Sequence, residues 1–118
     1  MTLKIKIDPL DRLFSEYIRK LSKGYCERCG AYYGWQRLQC CHFHTRGEKA
    51  IRWDEDNACA CDFGCHQYLD SHPLEKVEFF QKRLGKRFDL LNARRRTMGR
   101  PDKSALTLYF KTKIKELP

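Results

Sequence analysis

Hydrophobic side chains recur with helical spacing near the start of the sequence and again over its last third. In the first stretch they follow Asp8 and Pro9, a pair typical of a helix N-cap and first helical turn. The apolar positions of this stretch are Leu10, Leu13, Phe14, Tyr17, Ile18 and Leu21. The pattern predicts a helix that ends at Gly24 and buries one face in the core.

Three further helices are predicted in the last third. The first has an apolar stripe that ends at Gly85, formed by Leu74, Val77, Phe80 and Leu84. A second helix is expected from Phe88 to Arg96. The third would follow a cap at Asp102 or Ser104, and a strand over residues 106–110 stays open as an alternative there.

The middle of the chain, residues 25–62, lacks helical periodicity and is interrupted by Gly30, Gly34 and Gly47. Residues 38–44 are typical of a short strand, and residues 50–53 of a second one. Residues 54–57 predict a turn. A short helix is expected over residues 65–69. The order strand, strand, helix, with helices on both sides, predicts an α+β fold.

We expect a single domain over residues 1–118. It would consist of a bracing helix (8–23), a cysteine-rich core (24–73) and a helical extension (74–118). A chain of this length supports only a small hydrophobic core, so a metal or a disulfide would help to stabilise it. The seven cysteines of the sequence can provide such help.

The cysteines point to metal rather than to disulfides. The first seven residues are charged and contain no apolar signal core, and no apolar run reaches the length of a membrane span. We therefore expect a cytoplasmic protein, of a bacterium or a phage-infected cell, with no membrane partner. In a reducing compartment, clustered cysteines more often bind metal, and seven cannot close a disulfide framework.

Positive charge is concentrated in the C-terminal part of the chain. The formal net charge is +9, and residues 75–118 contain 13 Lys and Arg against five Asp and Glu. Residues 1–74 are almost neutral but contain every cysteine and histidine. This asymmetry indicates a polyanionic partner, most simply a nucleic acid, and suggests that the C-terminal part binds it.

Two close cysteine pairs predict a structural zinc site. Cys26 and Cys29 have the two-residue spacing of a zinc knuckle. Cys61 and Cys65 are the preferred second pair, at a spacing of three residues. Other residues can complete the site instead, namely Cys59, Asp62 and Cys40.

Two histidines and an asparagine lie between the two cysteine pairs or directly beside them. His42 lies on the first predicted strand, Asn57 follows the predicted turn, and His66 comes directly after Cys65. A zinc ligand at Cys65 would therefore also fix the backbone beside His66.

Taken together, these residues resemble a known family. The motifs are Cys26-x-x-Cys29, Cys41-His42-Phe43, Asp56-Asn57 and Cys65-His66. They resemble the HNH endonucleases, which belong to the ββα-metal (His-Me finger) nucleases, and most of all phage recombination nucleases of the lambda NinG (Rap) type. The resemblance covers roughly residues 10–84. It implies a zinc-stapled ββα-metal core with an N-terminal helix and C-terminal helices.

The resemblance also implies a role for each matching residue. His42 matches the general base that activates water, and Asn57 matches the residue that orients this histidine or supports its loop. His66 matches a ligand of the catalytic divalent cation, which would be magnesium, manganese or zinc. The cysteine pairs match the structural zinc knuckles of many members.

The sequence departs from the family at two positions. Cys41 occupies the place where many relatives have an Asp or His metal ligand, and a thiolate suits magnesium poorly. Asp62 falls where the first cysteine of the second pair would be, so Cys61 is shifted by one residue. Asp70 follows His66 by one helical turn and can supply a missing oxygen ligand. His44 and His72 are expected to be solvent-facing or hydrogen-bonded.

Two groups of basic residues are candidates for contacts with a nucleic acid. Arg46, Lys49 and Arg52 follow the His42 strand and are expected to contact phosphates, as are Arg94, Arg95 and Arg96.

The resulting hypothesis is a metal-dependent endonuclease acting on DNA, with branched or recombination intermediates as the substrate that the resemblance implies. The alternative is a non-catalytic zinc module that binds nucleic acid. The oligomeric state stays open, a dimer included.

Overall fold

The computed structural model describes residues 7–118, and these form an α+β fold of five α-helices and one two-stranded sheet. Residues 1–6, which make up most of the charged amino-terminal segment interpreted above, lie outside the described residues. The elements are α1 (Pro9–Leu21), β1 (Gln39–His42), β2 (Ala58–Cys61), α2 (Phe63–Ser71), α3 (Pro73–Leu84), α4 (Arg87–Thr97) and α5 (Lys103–Glu116). None of the described helices is long and apolar enough to cross a membrane.

The predicted N-terminal helix is confirmed as α1. Asp8 Oδ1 accepts a hydrogen bond from the main-chain N–H of Leu10 at 2.9 Å and caps the helix. The chain then reverses through Gly24, whose φ is +89°. A side chain at this position would collide with the Tyr32 ring, so the reversal requires glycine. It brings Cys26 back towards the sheet.

The two strands pair antiparallel, with Cys41 opposite Cys59 and His42 opposite Ala58. Successive side chains of a strand point to opposite faces of the sheet. Cys41 and His42 therefore point to different sides of the sheet, although they are adjacent in the chain.

The second strand predicted over residues 50–53 is wrong. The chain forms a 3-10 turn there, Lys49–Ile51, which buries Ile51 completely. The strand that pairs with β1 lies further on, at Ala58–Cys61, and all its residues are buried. A short strand of small residues covered on both faces shows no alternation of polar and apolar positions, so the pattern missed it. The predicted turn is confirmed as a second 3-10 turn, Glu55–Asn57.

The short helix predicted after the sheet is confirmed as α2, which begins at Phe63 rather than at Cys65. Asp62 caps it, because its Oδ2 accepts a hydrogen bond from the main-chain N–H of Cys65 at 3.2 Å. His66 and Asp70 lie one turn apart on the face of α2 that approaches β1.

The C-terminal helices enclose the core from two directions. Asp102 caps α5, which rules out the alternative strand over residues 106–110. The ring of Phe110 on α5 contacts Phe14 and Tyr17 of α1, at centroid distances of 5.3 and 5.4 Å. α5 therefore covers the apolar face of α1.

Helices α3 and α4 cover the chain just after β1. Phe43 lies 5.1 Å from the ring of Phe80 on α3 and 5.3 Å from that of Phe88 on α4, measured between centroids. Both Phe80 and Leu91 of these helices are fully buried. The packing fixes the backbone that follows His42.

Candidate metal centres

The first cysteine pair lies on a tight turn that directs both sulfurs to one side. The Gly30 N–H donates to the Cys26 carbonyl at 2.9 Å, and the Cys29 N–H approaches the Cys26 Sγ at 3.5 Å. Gly30 has a φ of +78°, which a glycine adopts without strain. Main-chain N–H groups that point at a cysteine sulfur favour its thiolate, which is the form that binds metal.

Four side chains converge at this turn. One potential ligand atom from each of Cys26, Cys29, Asp62 and Cys65 lies within 4.8 Å of the other three. Three sulfurs and one carboxylate oxygen match the ligand types and the coordination number of zinc. This cluster can therefore bind a metal ion such as zinc, and it would join the knuckle to the start of α2.

The fourth position of the cluster belongs to Asp62 and not to Cys61, the residue preferred from the sequence. Cys61 is the last residue of β2; it is fully buried, and its Sγ lies 3.6 Å from the Sγ of Cys59. Cys40, another alternative, is partly buried on β1. Asp62 and Cys65 repeat the two-residue spacing of the first pair, which is the signal that identifies them.

Electrostatics at the cluster keep the carboxylate charged. Burial tends to raise the pKa of Asp62, but hydrogen bonds with Cys26 and Cys65 outweigh it and hold this pKa well below its usual range. Burial raises the pKa of Cys26. The Arg28 guanidinium donates to the Cys65 Sγ at 3.3 Å.

A second cluster lies between β1 and α2. Potential ligand atoms of Cys41, His66 and Asp70 lie within 4.8 Å of one another, so the structure brings together the three residues expected around the divalent cation. His66 Nε2 lies 3.2 Å from Asp70 Oδ2. Lys76 also contacts Asp70, at 2.7 Å.

Sequence reasoning missed Gln39, which fixes the orientation of the His66 ring. The Oε1 of Gln39 lies 2.8 Å from His66 Nδ1 and accepts a hydrogen bond from it. A proton on Nδ1 leaves the Nε2 lone pair for a metal ion. Gln39 and Cys41 lie on the same face of β1, two residues apart, so strand alternation was the signal that could have identified Gln39.

The pKa values of Cys41 and His66 shift towards each other in the second cluster. A hydrogen bond with Cys59 lowers the pKa of Cys41 to about 6; burial opposes this shift, and a further hydrogen bond with His66 supports it. The hydrogen bond with Cys41 also raises the pKa of His66. The surroundings therefore favour the thiolate of Cys41, which is the form that binds metal.

His42 lies on the opposite face of β1 from this cluster. Its ring contacts the Phe14 ring at a centroid distance of 5.7 Å. Its Nε2 is buried and has no hydrogen-bond partner among residues 7–118. Burial lowers the pKa of His42, although a hydrogen bond with the Arg52 main chain opposes the shift. The surroundings therefore favour the neutral imidazole, which is the form that a general base requires.

One surface cavity connects His42 with the second cluster. It has a volume of about 800 Å³ and is lined by His42, His66 and Asp70 among other residues. The cavity lies at the edge of β1, which explains how side chains from both faces of the strand reach it.

Asn57 is fully buried and binds the chain that follows His42. Its Oδ1 accepts a hydrogen bond from the His44 N–H at 2.8 Å, and its Nδ2 donates to the His44 carbonyl at 3.0 Å. These two hydrogen bonds hold the loop that follows β1. Both remaining histidines are hydrogen-bonded: His44 Nε2 to Asn92 at 2.8 Å and His72 Nδ1 to the Tyr68 carbonyl at 2.8 Å.

The basic residues after β1 differ in their surroundings. Arg46 is exposed and lines the cavity. Lys49 is exposed on the 3-10 turn Lys49–Ile51. Arg52 is largely buried, and its guanidinium makes two hydrogen bonds with the carboxylate of Asp11. Arg52 therefore stabilises the fold and is not free to bind phosphate.

Two of the three arginines near the end of α4 are also engaged. Arg94 pairs with Asp54, which precedes the 3-10 turn Glu55–Asn57, and with Asp56 of that turn; Arg95 Nε lies 3.4 Å from Glu48. Arg96 is exposed and forms no ion pair within the part of the chain that the structure describes.

Comparison with known proteins adds nothing to this description: no family model, no curated protein and no solved structure matches the chain.

Proposed function

We propose that this protein is a metal-dependent endonuclease of the HNH type that hydrolyses phosphodiester bonds in DNA. One observation supports the proposal above all. His42, whose Nε2 has no hydrogen-bond partner among residues 7–118, lines the same cavity as His66 and Asp70, two members of the second cluster. A base and a cation site at one cavity are the two components that hydrolysis of a phosphodiester needs.

Each residue has a distinct task in the proposed reaction. His42 takes a proton from the attacking water through its vacant Nε2. Cys41, His66 and Asp70 would hold a divalent cation, which supplies positive charge to the phosphate and to the leaving oxygen. Gln39 keeps the proton of His66 on Nδ1. Asn57 holds the chain after β1 and so fixes where His42 lies.

The cluster of Cys26, Cys29, Asp62 and Cys65 would have a structural role. A zinc ion there would join the turn after α1 to the first turn of α2, the helix that contains His66. In a chain with a small core, such an ion contributes directly to folding. Branched or recombination intermediates are the DNA substrates that the resemblance favours.

The test is cleavage of supercoiled plasmid and of linear, single-stranded and junction DNA, with magnesium, manganese, cobalt or zinc. His42→Ala should lower the cleavage rate by about 100-fold or more, because a positioned general base contributes that much. His44→Ala is the matched control, since it removes a neighbouring imidazole that is hydrogen-bonded to Asn92. Circular dichroism checks that both variants are folded. Equal cleavage by His42→Ala and the wild type would refute the proposal.

A non-catalytic zinc module that binds nucleic acid is the second candidate. The observation that favours it is Cys41, a fully buried thiol at the position where a hard metal ligand would be expected. This candidate would be supported if the protein binds DNA in a salt-sensitive way but cleaves it with none of these metal ions.

A further inference from the structure

Helix α1 has a polar edge that faces the cavity. Arg12, Ser15 and Arg19 recur at spacings of three and four residues, so they lie on one side of the helix, and all three line the cavity. The opposite side of α1 is in the core, where Phe14 and Ile18 are buried. Two arginines and a hydroxyl are thus presented side by side at the opening that contains His42.

The other wall of the cavity supplies further cations. Arg46 and Lys76 line it together with the hydroxyl of Thr45. The lining also contains two carboxylates, Asp11 and Asp70. Each of these carboxylates already contacts a cation: Asp11 is bound by Arg52, which is not part of the lining, and Asp70 by Lys76. The cavity therefore has an excess of positive charge.

The lining arginines differ in how free they are to bind a ligand. Arg12 is exposed and takes part in no ion pair among residues 7–118. Arg46 is 62% exposed, and its guanidinium lies 3.8 Å from Asp11. Arg19 is held in place, because its Nε donates to the Ser15 Oγ at 3.1 Å and its guanidinium lies 5.0 Å from the Trp35 ring centroid. Arg12 and Arg46 can reorient towards a ligand, whereas Arg19 is preorganised.

The cations of the C-terminal helices are used differently. Arg83 pairs with Glu27 and Arg87 pairs with Asp56, at 3.0 and 3.1 Å. Together with the pairs of Arg94 and Arg95, these contacts join α3 and α4 to the acidic positions of the first half of the chain. The positive charge of residues 75–118 is thus partly neutralised within the molecule.

We infer that the sugar–phosphate backbone of DNA binds along α1, with Arg12 and Arg46 contacting phosphates next to the bond that His42 faces. The inference rests on the proposed function and assigns the substrate path to α1 instead of the C-terminal helices. The seven residue-to-residue steps of α-helix from Arg12 to Arg19 span about 10 Å. That length covers about three nucleotide steps of a B-form strand. Guanidinium groups bind phosphate oxygens through paired hydrogen bonds, and the hydroxyl of Ser15 adds a neutral donor.

The experiment compares two double variants with the same loss of charge. Arg12→Ala with Arg46→Ala removes the two freest arginines of the cavity. Arg96→Ala with Arg100→Ala is the matched control, since both residues are exposed and lie near the end of α4. Both are made in a His42→Ala background, and binding of fluorescent DNA is measured by anisotropy over a range of salt concentrations. The cavity variant should bind about 10- to 100-fold more weakly, and its log–log salt slope should fall by about two.

The outcomes separate this inference from the proposed function. A control variant that loses as much affinity as the cavity variant, or more, would overturn the path along α1, whatever the wild type cleaves. The same holds if neither variant loses affinity, or if no DNA is bound. If the cavity variant alone loses affinity while the wild type cleaves no DNA in any metal, the path stands and the proposed activity fails.

Discussion

Asn57 holds the main chain of His44 at both of its hydrogen-bonding groups. Its Oδ1 accepts from the His44 N–H at 2.8 Å, and its Nδ2 donates to the His44 carbonyl at 3.0 Å. The main chain of Asn57 also accepts from the Phe43 N–H at 2.8 Å, which extends the pairing of the two strands. A buried amide thereby fixes the two residues that follow His42.

We predict that Asn57→Ala destabilises the protein by about 2–3 kcal/mol, because it removes a fully buried side chain and leaves the N–H and carbonyl of His44 without their partner. Urea unfolding measures the loss. Asn92→Ala is the control: it removes only the hydrogen bond to the His44 ring and should cost about 1 kcal/mol or less. An Asn57→Ala protein as stable as Asn92→Ala would show that the two hydrogen bonds to the main chain contribute little.

The second prediction concerns the fourth ligand of the cysteine cluster. Asp62→Cys should slow the release of zinc to a chelator by about tenfold, since a fourth thiolate replaces a carboxylate. Asp62→Asn should speed the release while it preserves an oxygen to cap α2. Cys61→Ser should release zinc at the wild-type rate, because Cys61 lies outside the cluster.

Zinc release is measured with a chromogenic chelator, and every protein in this series also contains His66→Ala, which removes a ligand of the second cluster. Faster release from Cys61→Ser than from Asp62→Asn would restore Cys61 as the ligand.

Helices α1, α3 and α5 have local signals that make them predictable from the sequence. Asp8 with Pro9, Gly85 and Asp102 are caps or stops that act within one turn of the helix. The second strand has no comparable signal: Ala58–Cys61 is a strand because β1 pairs with it and other elements cover both its faces. A strand that is covered on both faces shows no alternation of polar and apolar residues in the sequence.

Residues of the candidate sites could also be predicted only where the signal was local. Cysteine and histidine spacing was sufficient to group Cys26, Cys29 and Cys65. The choice between Cys61 and Asp62 depended on where β2 ends, since Cys61 points into the sheet while Asp62 already caps α2. The ion pairs of the C-terminal arginines join residues far apart in the chain, so net charge alone exaggerated the free positive charge there.

The third prediction is that Cys41 sets the choice of metal. The wild type should cleave DNA faster with zinc, cobalt or manganese than with magnesium, because a thiolate is a soft ligand. Cys41→Asp should raise the ratio of the magnesium rate to the zinc rate by about tenfold or more. Cys40→Ser is the control on the other face of β1 and should leave the ratio unchanged. Full activity with magnesium in both the wild type and Cys41→Ala would show that Cys41 does not bind the ion.

The fourth prediction concerns acid stability. Burial tends to raise the pKa of Asp11, but hydrogen bonds from Arg52 and Trp53 outweigh it and lower this pKa. A carboxyl with a lowered pKa in the folded state stabilises the protein above its unfolded pKa and loses this effect as the pH falls through the folded value. Asp11→Asn should therefore cost about 1–3 kcal/mol at pH 7, and its difference from the wild type should shrink below about pH 4. Urea titrations between pH 3 and pH 7 measure this, and a difference that is independent of pH would contradict it.

The fifth prediction separates structural from free arginines on α4. Arg94 donates to Asp54 through Nε at 2.7 Å and reaches Asp56 through Nη2 at 3.1 Å, whereas Arg96 forms no ion pair among the described residues. Arg94→Ala should lower the free energy of unfolding by about 1–2 kcal/mol. Arg96→Ala should change it by less than about 0.5 kcal/mol. Arg94→Lys should recover only part of the loss, because an ammonium cannot bind both carboxylates in the planar geometry of a guanidinium. Equal unfolding midpoints for the two alanine variants would show that the pairs of Arg94 do not stabilise the fold.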